Sequence, residues 1–316
     1  MSDERPAGAY TIHFAADAAE AWPEHVAPTV RLVDPGQVPV GAVPASVQNW
    51  DYYDGAIVAI GFSDGRTFTI SGSGVMVAPG LVLTATHVLH DHVDALAAAE
   101  LSLWCLGVRT GGDVDLWALR TLRYPETESD IAFLGVEPYS HLPDGWELAC
   151  LPLSTRAPRQ GATLTVVGFR FGAVPTGAGL PLLDDVPVVS QGQLYTAAGT
   201  TEAVHYPYRD TVMAPFPVIE VACGSLGGMS GGAVLDDDGA VVGILSTGLS
   251  IEDGKGPSNA AWIIHALMFS VTLCWPPKLY QPNTPILELP QELLTIIGRD
   301  HVRLTGTHAL DYDAWH

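Results

Sequence analysis

A serine hydroxyl attacks a carbonyl only when a neighbouring base takes its proton, and the oxyanion that forms needs preorganised donors. Gly228-Met229-Ser230-Gly231-Gly232 supplies a serine among glycines, whose backbone freedom lets the N–H groups of Gly228 and Ser230 aim at one spot. Taken alone, the pentapeptide reads equally well as a glycine-rich turn that contains a serine. Thr84-Ala85-Thr86-His87 follows the apolar run Leu81 to Leu83, so a histidine, the residue type that ordinarily titrates near neutrality, stands at a strand end. A lone histidine is more often a packed or surface residue. Asp130, in Ser129-Asp130-Ile131-Ala132-Phe133-Leu134, opens a further apolar strand and by itself says little. The order His87, Asp130, Ser230 places the first two on one series of strands and the third on another, and a cleft between two barrels would bring them together.

The elements that must position these residues are short strands. From Ala56 onward AIVAIGF, RTFTISGSGVMVAP, LVLTA, LSLWCLGVR, DLWALRTLRY and DIAFLGV follow closely, a density that suits a small barrel or sandwich. A proline-bearing stretch from Glu137 to Gln160 reads as a crossing between domains. A second series then runs through ATLTVVGFRF, VPVVSQGQLYT, PVIEVACG, GAVLD and AVVGILS, with Asp238-Gly239 as a hairpin turn. The run Asp236 to Asp238 lacks the alternating ligand spacing of a calcium loop. Short helices are expected around Phe14 to Trp22, on the face made by Trp262, Ile263, Ala266 and Phe269, and in QELLTIIG behind Pro290.

With these segments in place, the sequence resembles the trypsin/chymotrypsin-like serine peptidases, and among them the bacterial branch that includes the HtrA proteases. SGSGVMVAPGLVLTATH, SDIAFL and GMSGGAVLDDDGAVVGILSTG carry the resemblance, which spans Ala56 to Ile264 and leaves both ends of the chain uncovered. It implies Ser230 as nucleophile, His87 as general base and then acid, Asp130 as the group that orients the imidazole, and the N–H groups of Gly228 and Ser230 as the oxyanion hole. It also implies that Ser246 leans on the aspartate, that Ser246, Thr247 and Gly248 pair with the substrate backbone, and that Gly224 lies at the base of the specificity pocket. Met229 stands where zymogen-type relatives carry an aspartate that pairs with a newly cut N-terminus, so that switch is not expected. Val88 replaces the cysteine of extracellular members, and Leu245 replaces the histidine of Glu-specific ones. With no carboxylate at Gly224, a small or medium apolar side chain is expected in the pocket; Glu252 or Asp253, reaching in from another wall, would instead favour a basic one.

Composition narrows the remaining classes. Hydrophobic residues at 47% against 16% charged describe a folded globule, and a net charge of −21 leaves no basic face for nucleic acid or acidic membrane. Cys105, Cys150, Cys223 and Cys274 are too dispersed for a metal knuckle and too few for a disulfide framework, which fits a reducing compartment. The start MSDERPAGAY lacks the pattern of a signal peptide, so the expected location is cytoplasmic. One rival is a zinc hydrolase: His87, His90, Asp91 and His92 approach the H-x-H-x-D-H of metallo-β-lactamase-like enzymes, but Leu89 stands where the second histidine belongs, and His90 and His92 read as surface residues of a loop after His87. The other is a peptidase fold kept for binding alone.

The expected architecture is all-β, two six-stranded antiparallel barrels with the active site at their interface, plus a C-terminal helix. Residues 1–50 form an N-terminal extension, 51–145 the first barrel, 146–275 the second barrel with the helix, and 276–316 a tail. No cofactor or metal is expected; the expected partners are a protein or peptide substrate and a regulatory protein that contacts either extension.

Overall fold

Two of the strands around the candidate residues show no alternation: Ile57–Ser63, and Leu81–Thr84 just before His87, are buried along their whole length. Continuous apolar runs of this length fit strands covered on both faces, and these two are such strands. The computed structural model describes residues 10–13, 29–33, 41–47, 53–65, 68–109, 113–125, 129–139, 146–171, 192–248, 254–306 and 309–315. The helix expected around Phe14 to Trp22, and the rival pocket acids Glu252 and Asp253, lie outside these residues.

Six strands make the first barrel: β1 (Ile57–Ser63), β2 (Phe68–Ala78), β3 (Leu81–Thr84), β4 (Ser102–Val108), β5 (Val114–Tyr124) and β6 (Ala132–Pro138). They pair antiparallel in the closed order β1-β2-β3-β6-β5-β4 and back to β1. The second barrel consists of β7 (Thr163–Phe171), β8 (Gly192–His205), β9 (Val218–Val221), β10 (Ala233–Leu235), β11 (Val241–Gly248) and β12 (Ser258–Trp262). Its closed order, β7-β8-β9-β12-β11-β10, repeats the first strand for strand. Closure leaves neither barrel with an edge to protect. The Asp238-Gly239 turn joins β10 to β11, with Asp236 Oδ1 accepting the N–H groups of Asp238 (3.1 Å) and Ala240 (2.9 Å). Arg156 neutralises the rest of the acidic run, 2.8 Å from Asp237 and 2.5 Å from Asp238.

Three expectations need correction. His90 and His92 are not on a loop: Thr86–Leu89, His90–His92 and Val93–Ala97 form one helical stretch, α1, which buries Leu89, Val93 and Leu96 at helical spacing. The C-terminal helix is a single turn, α2 (Ile263–Ala266), because Trp262 and the four residues before it are taken up as β12 between β9 and β11. QELLTIIG is no helix but a turn leading to the short strand Ile296–Ile297, which pairs parallel with Leu153–Ser154.

The chain ends wrap these barrels. Residues 10–13 pair with β5, Thr29–Leu32 with Glu147–Cys150, and Ala45–Ser46 with β8. Beside that last pairing, Gly41 O accepts the N–H of Ala198, and Ala42 O accepts the N–H of Gly224, both at 2.9 Å. At the other end, Tyr280 donates its hydroxyl to Pro79 O on the first barrel (2.8 Å), and Trp315 Nε1 donates to Thr155 Oγ1 beside the second (2.7 Å).

Candidate active site

His87 is exposed on the first turn of α1, directly after β3. The register of β3 on β6 sets Thr84 opposite Ala132, which brings Asp130, two residues earlier, beside the start of α1. His87 Nδ1 and Asp130 Oδ2 are 2.9 Å apart. The imidazole is 42% exposed and the carboxylate 9%, so the ring is open to a substrate while the acid is shielded. Asp130 accepts three more bonds: from the His87 backbone N–H at 3.1 Å, from Thr86 Oγ1 at 2.6 Å, and from Ser246 Oγ at 2.5 Å. Burial pushes this carboxyl up, but the bonds and charge of His87, with those of Ser246 and Thr86, outweigh it and hold it below the ordinary carboxylate value. Thr86 is the residue that sequence reasoning missed. A threonine in Thr84-Ala85-Thr86-His87 reads as strand-end filler until Asp130 is placed over it.

Ser230 comes from the loop between β9 and β10. Gly228 and Gly231 have φ of 94° and 85°, in the region that side chains avoid. At Gly231 a Cβ would in addition lie 2.1 Å from Ser73 O. Gly231 donates to Leu245 O and Leu245 to Gly232 O, both at 2.8 Å, which ties the loop to β11. The hydroxyl of Ser230 donates to Ser246 O at 3.2 Å. Ser246 thus touches both Asp130, through its side chain, and Ser230, through its carbonyl. Among the described residues, neither the Gly228 N–H nor the Ser230 N–H donates to a protein group.

The remaining expected site residues lie nearby in the fold. Thr247 and Gly248 are exposed at the end of β11, paired with Asn259 and Ser258 of β12. Gly224 is buried, and a Cβ there would meet Gly254 O at 2.0 Å. Ser258 is also buried and donates to Cys223 O at 2.8 Å. Met229 is buried, its sulfur 3.3 Å from the Leu226 N–H. The histidines of the zinc reading have separate partners: His90 Nδ1 bonds the Tyr124 hydroxyl at 2.9 Å, and the His92 ring packs on Phe62 with centroids 4.0 Å apart.

Residues 72–244, more than half of the chain, match the family described as the trypsin-like peptidase domain, and the chain belongs to that family. Two solved structures of the HtrA-type protease AlgW are similar to it. The one with a tripeptide is 20% identical with a TM-score of 0.41, covering 66% of this chain and 56% of that one. The one with a decapeptide is 19% identical with a TM-score of 0.45, covering 69% and 64%. The chain therefore spans less than two thirds of either. No curated protein matches it.

Proposed function

We propose that the protein is a serine endopeptidase that cleaves a protein substrate through an acyl-enzyme. One observation carries the reading: a continuous line of hydrogen bonds runs from His87 through Asp130 and Ser246 to Ser230, beside two N–H groups that have no acceptor among the described residues. The substrate backbone pairs with Ser246 to Gly248, whose exposed end supports strand addition. Ser230 Oγ turns from Ser246 O to His87 Nε2, gives up its proton and attacks the scissile carbonyl. Asp130 stabilises the imidazolium, and the Gly228 and Ser230 N–H groups receive the oxyanion. His87 then hands the proton to the leaving amine, and water repeats the cycle to release the acid.

The buried Met229 offers no carboxylate to a new N-terminus, so activity needs no prior cleavage of the chain. Gly224 brings no charge to the pocket base and is packed against Gly254, which supports a small or medium apolar side chain on the acyl side of the cut bond. Unpaired Cys105, Cys150, Cys223 and Cys274 support a cytoplasmic location, and the two extensions are the surfaces for a regulatory protein.

A fluorophosphonate probe tests the assignment. It should label Ser230, as located by peptide mass. Ser230→Ala and His87→Ala should each lose labelling and lower kcat on the order of 10⁴-fold or more. A protein that binds peptide yet neither labels nor hydrolyses is the binding-only alternative.

A further inference from the structure

Ser73, in the middle of β2, belongs to the first barrel but spends its polar groups on the nucleophile loop. It is fully buried. Its N–H donates to Ser230 O at 2.8 Å. Its hydroxyl donates to Gly228 O and accepts the Phe169 N–H from β7, both at 2.8 Å. Its carbonyl accepts Thr84 Oγ1 at 2.7 Å, next to the turn that carries His87. One side chain therefore links β2, the loop of Ser230 and a strand of the second barrel.

The consequence is geometric. A peptide plane turns as a unit, so fixing its carbonyl fixes its N–H on the opposite side. Three successive carbonyls of the loop have donors: Gly228 O from the Ser73 hydroxyl, Met229 O from the Gly232 N–H at 2.9 Å, and Ser230 O from the Ser73 N–H. The Met229 N–H, across the plane from Gly228 O, donates to Leu226 O at 3.1 Å. The Ser230 N–H is set in this way by Met229 O across its plane, and of the N–H groups from Gly228 to Gly232 only those of Gly228 and Ser230 have no acceptor among the described residues. Gly228, a glycine with φ of 94°, has no side chain of its own to oppose a turn of the adjoining planes. Removing the Ser73 hydroxyl takes away the donor of Gly228 O and the bond it accepts from the Phe169 N–H, and the plane joining Gly228 to Met229 is freed to rotate.

We propose that Ser73 is a positioning residue for the reaction, whose hydroxyl locks the oxyanion loop from across the interface between the barrels. This rests on the peptidase reading above. It places the control of loop geometry in the first barrel, in a residue that touches no substrate.

The test is Ser73→Ala, measured with a peptide amide substrate, with the boronic acid of the same peptide, and with the uncleaved peptide on a Ser230→Ala background. A boronate bound to Ser230 places an oxygen where the oxyanion forms, and the uncleaved peptide reads ground-state binding alone. The expected result is a fall in kcat of roughly 10- to 100-fold, with the boronate weakened by a similar factor. KM and the affinity of the uncleaved peptide should stay within about threefold. A kcat within threefold of wild type overturns the proposal, as does an equal loss for the boronate and the uncleaved peptide, which marks a merely structural role. Should Ser73→Ala not fold, Ser73→Cys, with a weaker donor in the same place, is judged by the same comparison. Wild-type protein that fluorophosphonate does not label at Ser230 defeats the peptidase reading itself. Labelled wild type with an unaffected Ser73→Ala defeats the assignment of Ser73 alone.

Discussion

Asp130→Asn isolates the orientation of the imidazole from everything else in the site. The native carboxylate faces donors on both oxygens: the His87 N–H and Thr86 Oγ1 on Oδ1, and His87 Nδ1 and Ser246 Oγ on Oδ2. An amide replaces one oxygen with a donor. Placed at the Oδ1 position, its nitrogen meets a backbone N–H that cannot accept. Placed at the Oδ2 position, it meets a hydroxyl that can turn and a ring nitrogen that accepts once its hydrogen moves to Nε2. The second arrangement satisfies every group and so selects the imidazole tautomer that cannot take a proton from Ser230. Restoring the productive tautomer forces two buried donors together, about 1–3 kcal/mol, and the lost charge-assisted bond to the imidazolium adds about 1.5–3 kcal/mol. Together these correspond to a fall in kcat of roughly 10²- to 10⁴-fold. The assay is hydrolysis of a fluorescent protein substrate, with nitrogen NMR of labelled histidine to read the tautomer. A variant retaining more than a tenth of wild-type kcat, or an inactive one whose His87 still carries its hydrogen on Nδ1, refutes this reasoning.

Cleavage of a peptide library should occur mainly after residues such as Ala, Val, Leu or Met. Cleavage mainly after Arg or Lys, lost in Glu252→Gln or Asp253→Asn, would establish the rival pocket wall. A chelator should leave activity unchanged because His87, His90 and His92 have separate partners; loss with EDTA and recovery with zinc would favour the histidine cluster. Asp130 lies below its ordinary value, so as pH falls the unfolded chain takes up this proton first; its stabilising contribution is complete above the carboxylate range and lost below about pH 4. Asp115 and Asp236, raised first by burial, have the opposite sign and favour the folded state as pH falls. Urea unfolding between pH 7 and 3 should therefore show a smaller acid loss in Asp130→Asn than in wild type, and equal losses would contradict the assignment.

The candidate site was legible because His87, Asp130 and Ser230 each sit against a strand or turn with a strong local pattern. Apolar runs end at His87 and begin after Asp130, and glycines surround Ser230. The first barrel was legible for the same reason, since each strand has its own boundary signals. The second barrel hid its sixth strand: Ser258–Trp262 enters an apolar run with no break before Ile263, and such a run fits a helix or a buried strand equally well until its neighbours are known. The helix after β3 carried its signal in Leu89, Val93 and Leu96, masked by the histidines between them. What no local pattern contains is direction. That the hydroxyls of Thr86 and Ser73 point at Asp130 and Gly228 depends on pairings across long stretches of chain.

The order of synthesis has a bearing on the arm at residues 41–47. Its partners, Leu194 to Ala198 in β8 and Gly224 in the pocket loop, come much later in the chain. At a ribosomal rate of roughly 5–20 residues per second, the arm waits about 10–30 seconds for the strand it joins. The first barrel can close in the meantime, because all its strands are local to one another. The second cannot, since β12 and the stretch that pairs beside Leu153 leave the ribosome after Ser230. A half-made copy therefore carries the nucleophile without the sheet that holds it, and the pocket loop is fastened by a segment made well before it.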